Sequence, residues 1–384
     1  MGEQKGTLED VVRDMDVRDF YKGKKVLVTG HMGFKGSWLC KILILSGAEV
    51  IGYGIDNGVE PSLFQISHIA EAMTSITGDI RDLSHLKEVF YNYQPEIVFH
   101  MAAQPIVRLG YKDPVNTYST NVMGTVNLLE CIRLTKSVRS VVNITTDKVY
   151  HNKGWGRGYR EEDELNGQDP YSNSKSCSEL VTSSYSYSFL PEVPISTLRA
   201  GNVLGGGDFS QDRIIPDCVR AVLTGKAIEV RNPNSIRPYE HVLEALAVYL
   251  MVARGQYCDK SLAGSYNVGP NAEDCVTTAE LVTLFCNDWG ETASWQSVIA
   301  EGPREADFLK LDCTKLQTVF NWKPHWDIKK TIQQVVAWSK AYEKDGRAAG
   351  VMEEQIREFF SYKENAIGGQ SNGTRIGGIG TGTV

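Results

Sequence analysis

The sequence contains no CxxC pair among its eight cysteines (Cys40, Cys131, Cys177, Cys218, Cys258, Cys275, Cys286, Cys313), and its seven histidines form no HExxH. That excludes a disulfide framework and a zinc site of the usual spacing, and it suits a reducing, cytoplasmic setting. A polybasic run is also missing. Forty basic against forty-seven acidic side chains leave a formal charge of −7 spread along the chain, so neither nucleic acid nor an anionic membrane is expected as a partner. The acidic opening MGEQKGTLEDVVRDMD lacks an apolar core, and the apolar stretch 39–55 is broken by Lys41, Ser46 and Glu49. No signal peptide and no membrane span are therefore expected. No internal repeat is visible.

What is present is length, 384 residues of which 42% are hydrophobic, enough for two compact units. Short apolar runs at 25–29, 49–55, 75–79, 96–101, 140–146 and 194–199 alternate with segments of helical period at 36–45, 83–93, 114–134 and 170–189. Such alternation predicts an α/β fold with a Rossmann-type doubly wound parallel sheet and right-handed crossovers. After about Gly201 the pattern becomes Gly-, Asp-, Asn- and Pro-rich loops between helices near 214–223, 242–252, 278–289 and 328–342, which predicts a smaller mixed α/β domain. The expected boundaries are an N-terminal extension over 1–22, the sheet domain over 23–200, the second domain over 201–345 with room for the chain to cross back, and a terminal helix with a tail over 346–384. Residues 363–384 hold seven glycines with no proline and no aromatic, too little apolar surface to order themselves.

Val26-Leu27-Val28-Thr29 runs into Gly30-His31-Met32-Gly33-Phe34-Lys35-Gly36, and Ser37-Trp38-Leu39-Cys40 continues as a helix. Glycines at Gly30, Gly33 and Gly36 let the backbone approach a pyrophosphate, whose charge the free N–H groups and dipole of the helix start stabilise. Asp56 ends the second strand twenty residues after Gly36, where a carboxylate can accept both adenosine ribose hydroxyls and repel a 2′-phosphate. NAD is thus expected rather than NADP, and 23–200 is the NAD-binding domain. The other role open to Asp56 is capping a turn. Asp79 and Ile80 follow the third strand toward the adenine, and Ala102, Ala103 and Gln104 follow the fourth, where small residues leave room for the cofactor or simply pack.

Tyr171 and Lys175 stand one turn apart on a helix opened by Pro170. A lysine ammonium near a phenol favours the phenolate, so Tyr171 is a candidate general base near neutral pH; alone, the pair could equally be solvated. At the end of the fifth strand come Thr146, Asp147 and Lys148, at the sheet edge where substrates of open α/β folds bind. Carbonyl reduction or epimerisation needs only a hydroxyl beside the tyrosine, whereas losing water also needs an acid for the leaving hydroxyl and a base for the adjacent carbon. A capping Asp with a solvated Lys is the plainer reading.

Taken together these residues resemble the extended short-chain dehydrogenase/reductase superfamily, and within it the nucleotide-sugar 4,6-dehydratases. The strings GHMGFKGSWL, PEIVFHMAAQPIVRLGY, TYSTNVMGTVNLLE, NITTDKVY, DPYSNSKS, RAGNVLGGGD, DRIIPD, RNPNSIRPYEHVLE and FLKLDC carry the resemblance from about Lys24 to Trp338. It implies NAD as recycled cofactor, with Phe34 and Thr120 added to its contacts, and Tyr171 and Thr146 acting at the sugar C4 hydroxyl. Where the dTDP-glucose enzymes carry an Asp-Glu pair, this sequence has Asp147-Lys148, as in the CDP-glucose branch. The implied substrate is thus CDP-glucose, with Asp147 protonating the departing C6 hydroxyl and Lys148 handling the C5 proton. Asn202, Arg213, Arg231 and Arg237 fall where related enzymes hold the nucleotide diphosphate, a task that suits arginine; a surface ion pair is the alternative for each arginine. Gln104 and Arg108 extend toward the sugar or diphosphate. Arg304 occupies a stretch that often carries a histidine in the family, and is read as a nucleotide contact, which leaves base selectivity open. The resemblance further implies a homodimer through helices 114–134 and 170–189, and deoxysugar biosynthesis of the kind that feeds lipopolysaccharide O-antigen. The competing readings are another nucleotide-sugar dehydratase or epimerase, and a non-catalytic NAD-sensing protein.

Overall fold

The computed structural model describes residues 17–56, 58–299 and 310–368. Seven parallel strands form one sheet: β1 (Lys25–Thr29), β2 (Glu49–Gly54), β3 (Thr74–Thr77), β4 (Ile97–His100), β5 (Ser140–Ile144), β6 (Ile195–Ala200) and β11 (Ser265–Val268), in the spatial order β11-β6-β5-β4-β1-β2-β3. Leu27 of β1 lies opposite Ile51 on one side and Val98 on the other. Strands covered on both faces read as unbroken apolar runs, and β4 and β5 are buried at every position. The strand order reverses between β1 and β4, which opens a crevice at the carboxyl ends of the strands.

The helices are α1 (Val17–Tyr21), α2 (Phe34–Leu45), α3 (Leu63–Ile66), α4 (Leu83–Tyr93), α5 (Val107–Lys112), α6 (Pro114–Tyr118), α7 (Gly124–Leu134), α8 (Pro170–Ser188), α9 (Ile214–Leu223), α10 (Val242–Cys258), α11 (Thr278–Trp289), α12 (Thr314–Phe320), α13 (Ile328–Asp345) and α14 (Ala348–Gly368). Short strands β7 (Asn202–Leu204) with β10 (Tyr239–His241), β8 (Ile228–Val230) with β13 (Trp295–Ser297), and β9 (Ile236–Arg237) with β12 (Val276–Thr277) pair two by two. They close a second core in which Ile215, Cys218, Ile228, Leu281, Phe285, Ile332 and Val335 meet.

Several boundaries differ from the sequence reading for packing reasons. Tyr21, expected in the extension, is fully buried and donates its hydroxyl to the Leu250 carbonyl at 2.8 Å. The helix expected over 114–134 is interrupted by a π turn at Ser119–Met123. From the middle of the second unit, α10 and β11 return to the large sheet. α10 is buried almost all round, and Gln256 on it reaches the Val141 carbonyl at 2.8 Å; the two units therefore interleave. α14 takes in 363–368, the start of the expected tail, and the remaining tail residues lie outside the described ones. Among the described residues, no helix is long and apolar enough to cross a membrane.

Candidate active site

One cavity of about 1620 Å³ runs from the carboxyl ends of the sheet strands into the second unit. Its cofactor end begins at Gly30, whose φ of 73° is open to glycine. A Cβ there would lie 2.7 Å from the Ala102 nitrogen, and one on Gly36 would lie 2.2 Å from the Gly30 carbonyl oxygen. Gly33 is less confined: its Cβ would come only within 3.4 Å of the Gly30 oxygen. It is the N-cap of α2 and offers no side-chain cap, so the first N–H groups of the helix are left for an anion.

The close approach of Ala102 to Gly30 is set by a buried triad absent from the sequence reading. Thr29 Oγ1 accepts from the Met101 and Ala102 amides at 3.1 and 3.2 Å and meets His100 Nδ1 at 2.9 Å, while His100 Nε2 meets Thr125 Oγ1 at 3.1 Å. Burial, helped by the Lys175 cation, pushes His100 down to about 3, so it is neutral near pH 7.

The other cofactor candidates line the same end. Asp56 accepts from the Gly58 amide at 2.9 Å and still lines the cavity, so capping the turn does not withdraw it from that space. Asp79 is engaged by Arg81 at 2.9 Å, and that contact holds its carboxyl below the usual range; Arg81 also donates to Asn116 at 2.9 Å. Ile80 packs where a Cβ on Gly124 would approach within 2.7 Å. Phe34, Ala103 and Thr120 reach the wall. Gln104 reaches it too, with its side chain already committed: Nε2 donates to Thr117 at 2.9 Å and Oε1 accepts from the Ile106 amide at 2.6 Å.

The catalytic corner is built by two local caps. Asp169 caps α8, accepting from the Tyr171 and Ser172 amides at 3.0 and 3.1 Å, which presents Tyr171 and Lys175 on one face. Lys175 donates to the Ile144 carbonyl at 2.9 Å, and burial together with Lys35 pushes it down to about 7. Tyr171 is pushed up to about 12 by burial, a rise that Thr146 and Arg213 oppose and Asp147 and Asp169 add to. The expected lowering by Lys175 is thus overridden: the phenol is desolvated, and the lysine head is turned to the end of β5. Thr146 caps the short turn Asp147–Val149. Its hydroxyl donates to Asp147 Oδ1 at 2.9 Å, which Lys148 Nζ also approaches at 3.4 Å. Thr146, Lys148, Tyr171 and Lys175 line the cavity, whereas Asp147 is buried behind the wall.

At the substrate end Arg108, Asn202, Arg213, Arg231 and Arg237 all reach the cavity; Arg304 lies outside the described residues. Arg108 and Arg231 meet on Asp212, at 3.2 and 3.3 Å, and Arg231 also approaches Asp217 at 3.7 Å. The surface-ion-pair alternative therefore holds in part for Arg231, whose partners sit at the cavity mouth. Arg237 is 4% exposed.

Two charged residues at the site escaped the sequence reading. Lys35, between the glycines of the cradle, lines the cavity and is pushed down to about 8 by burial, with Arg213 adding to the effect. Its signal was a cation inside a phosphate-binding turn. Glu240 on β10 is buried, and burial with the neighbouring Glu244 pushes it up to about 8; an acid inside the apolar stretch around 239–243 was the corresponding signal.

A family profile described as GDP-mannose 4,6 dehydratase matches residues 27–335. The chain is 46% identical to the CDP-glucose 4,6-dehydratase of Salmonella typhimurium over 333 residues, covering 85% of this chain and 93% of the relative. Among solved structures, the UDP-glucose 4-epimerase of Thermus thermophilus in complex with NAD superposes with a TM-score of 0.72 at 26% identity, over 82% of this chain and 98% of that one. The dTDP-glucose 4,6-dehydratase of Bacillus anthracis in complex with NAD gives 0.70 at 23% identity, over 86% and 100%.

Proposed function

This chain belongs to the GDP-mannose 4,6-dehydratase family, and on that premise we propose that it is an NAD-dependent lyase converting CDP-D-glucose to CDP-4-dehydro-6-deoxy-D-glucose and water. The observation that carries the reading is the Asp147–Lys148 ion pair at the end of β5, beside Tyr171 and Thr146, an acid and a base beyond the needs of oxidation alone. The cradle fits NAD, since Gly30 and Gly36 let the turn pack tightly against its own backbone and Gly33 at the N-cap leaves the first N–H groups of α2 open to a pyrophosphate. Gly30, Gly33, Phe34 and Gly36 would hold the pyrophosphate, Asp56 the ribose, Asp79 and Ile80 the adenine side, and Ala102, Ala103, Gln104, Thr120, Tyr171 and Lys175 the nicotinamide side. When bound there, NAD would supply a hydride acceptor for sugar C4 and, once reduced, a hydride donor for C6.

The chain's own residues do the rest. Tyr171 takes the C4 hydroxyl proton, and the two groups that oppose its rise, the Thr146 hydroxyl and the Arg213 cation, stabilise the phenolate. The resulting C4 ketone acidifies the C5 hydrogen, and the Asp147–Lys148 pair carries out the loss of the C6 hydroxyl. Arg108, Arg213, Arg231 and Arg237, with Asn202, hold the diphosphate. The test is mass spectrometry of products after incubation with NAD and, separately, CDP-glucose, dTDP-glucose, UDP-glucose or GDP-mannose. Loss of one water from CDP-glucose is expected; water loss from a different sugar moves the substrate, and no reaction with any of them refutes the dehydratase reading.

The protein is a cytoplasmic homodimer in this reading. All eight cysteines are free. Val115, Met123, Leu180, Tyr187 and Phe189, on or beside α6, α7 and α8, are exposed, and large apolar side chains left open on these helices suit burial against a second copy. A monomeric mass by light scattering would reject the dimer.

A further inference from the structure

Two charged side chains lie buried next to the catalytic corner and take no part in the steps above. Glu179 on α8 and Arg199 on β6 are both 3% exposed and face each other, Arg199 Nε donating to Glu179 Oε1 at 2.9 Å and Nη2 to Oε2 at 3.0 Å. Glu179 stands one turn beyond Lys175, as Lys175 stands one turn beyond Tyr171, so the three share a face of the helix. Burying such a pair costs desolvation that its own attraction does little more than offset. Stability is therefore a weak reason for its presence, and what else it holds is the better guide.

Its other bonds converge on one place. β5 stops at Ile144, and the short turn Asp147–Val149 follows. Immediately before the run 146–149, the Thr145 hydroxyl donates to Glu179 Oε1 at 2.6 Å. Immediately after it, the Tyr150 hydroxyl accepts from Arg199 Nη1 at 2.8 Å and donates to Asn267 Oδ1 at 2.7 Å. The run that carries Thr146, Asp147 and Lys148 is thus gripped on both sides by one buried ion pair. α8 adds two further ties, from Lys175 to the Ile144 carbonyl at 2.9 Å and from Ser176 to the Val149 carbonyl at 2.7 Å. A second threonine provides a matched contrast: Thr197 donates to Glu179 Oε2 at 2.6 Å, but from the middle of β6 rather than from the edge of the turn.

We propose, resting on the dehydratase reading above, that Glu179 and Arg199 are positioning residues of the reaction, which set where Thr146 and Lys148 stand against the sugar by holding Thr145 and Tyr150. Thr146 and Lys148 line the cavity, so nothing in the protein can pack the turn from that side and its placement is fixed from behind. Charge-assisted bonds of fixed direction do this more narrowly than apolar packing. The narrowness matters because a shift of about 1 Å in a reacting group can cost on the order of a hundredfold in rate.

The experiment leaves Glu179 and Arg199 in place, because removing either strands the other's buried charge. Thr145→Val, Thr145→Ser, Tyr150→Phe and Thr197→Val are compared with wild type for kcat and KM on CDP-glucose, for NAD affinity by calorimetry and for thermal midpoint. Thr145→Val and Tyr150→Phe are each expected to lower kcat about ten- to a hundredfold with KM and NAD affinity kept, whereas Thr145→Ser and Thr197→Val stay within about threefold of wild type. The midpoints of the two valine variants should fall alike, since each loses one hydroxyl bond to the same carboxylate. A kcat that falls equally in Thr197→Val, or that does not fall in Thr145→Val, overturns the proposal, and so does a loss confined to KM or to NAD affinity. Should Thr145→Val not fold, Tyr150→Phe against Thr197→Val decides by the same comparison. A wild-type enzyme that removes water from no nucleotide sugar refutes the dehydratase reading and the proposal with it, an outcome distinct from all of these.

Discussion

At the cofactor end of the cavity, contacts come from backbone and small residues locked by burial: Gly30 against Ala102, Gly36 against Gly30, and His100 between Thr29 and Thr125. At the substrate end they come from long charged side chains, Arg108 and Arg231 sharing Asp212, which itself sits in the left-handed region at φ 58°. A backbone cradle is pre-formed and accepts one ligand shape. Exposed ion pairs are worth little, about 0–1 kcal/mol each, so these arginines can leave one anion for another. The contrast suits a cofactor retained through the cycle and a substrate exchanged at every turnover.

The sharpest test separates chemistry from both ends. Tyr171→Phe is expected to lower kcat about a thousandfold while NAD and CDP, measured by calorimetry, bind as before; weakened binding at either end would show that the corner also builds the sites. Next, Gly36→Ala forces a Cβ to 2.2 Å from a backbone oxygen, and is expected to destabilise the fold by about 2–3 kcal/mol in a denaturant melt. Gly33→Ala should leave that midpoint nearly unchanged and weaken NAD alone. Equal melts for the two would dissolve the distinction between packing glycine and ligand glycine.

A smaller effect is expected at the other end. Arg231→Ala should raise KM about tenfold with little change in kcat, through loss of a charge-assisted contact. Added salt should weaken CDP binding more than NAD binding, since exposed charges are screened and a backbone cradle is not. The smallest is a slope. His100 titrates near 6.5 when unfolded and about 3 when folded, so the unfolded chain binds the extra proton between those values and stability falls as pH drops through that window. The melting temperature should decline from pH 7 to pH 5, and less steeply in His100→Gln.

What could be read from the sequence is what is local in the chain. The glycine turn, the Tyr171–Lys175 helix face and the Thr146-Asp147-Lys148 run each lie within a few residues, and the structure brings them to one cavity. Asp212 and the His100 triad went unread because their meaning depends on neighbours far along the chain, and Lys35, though it stands inside the glycine turn, because its burial is set by the tertiary fold. The same holds for Asp147: its place in the sequence was plain, but its concealment behind Thr146 and Lys148 is a tertiary fact. Tyr21 was assigned to an extension because its partner, Leu250, lies 229 residues away.

The interleaving of the two units also has a consequence for synthesis. β11 pairs with β6 at the edge of the large sheet, yet it is encoded after β7, α9 and all of α10. On the ribosome, where chains grow at roughly 5–20 residues per second, the first six sheet strands must wait several seconds for the seventh. Until then the flank of β6 stays an open edge of unpaired backbone groups, and a nascent chain halted anywhere between residues 200 and 265 would present that edge to its neighbours.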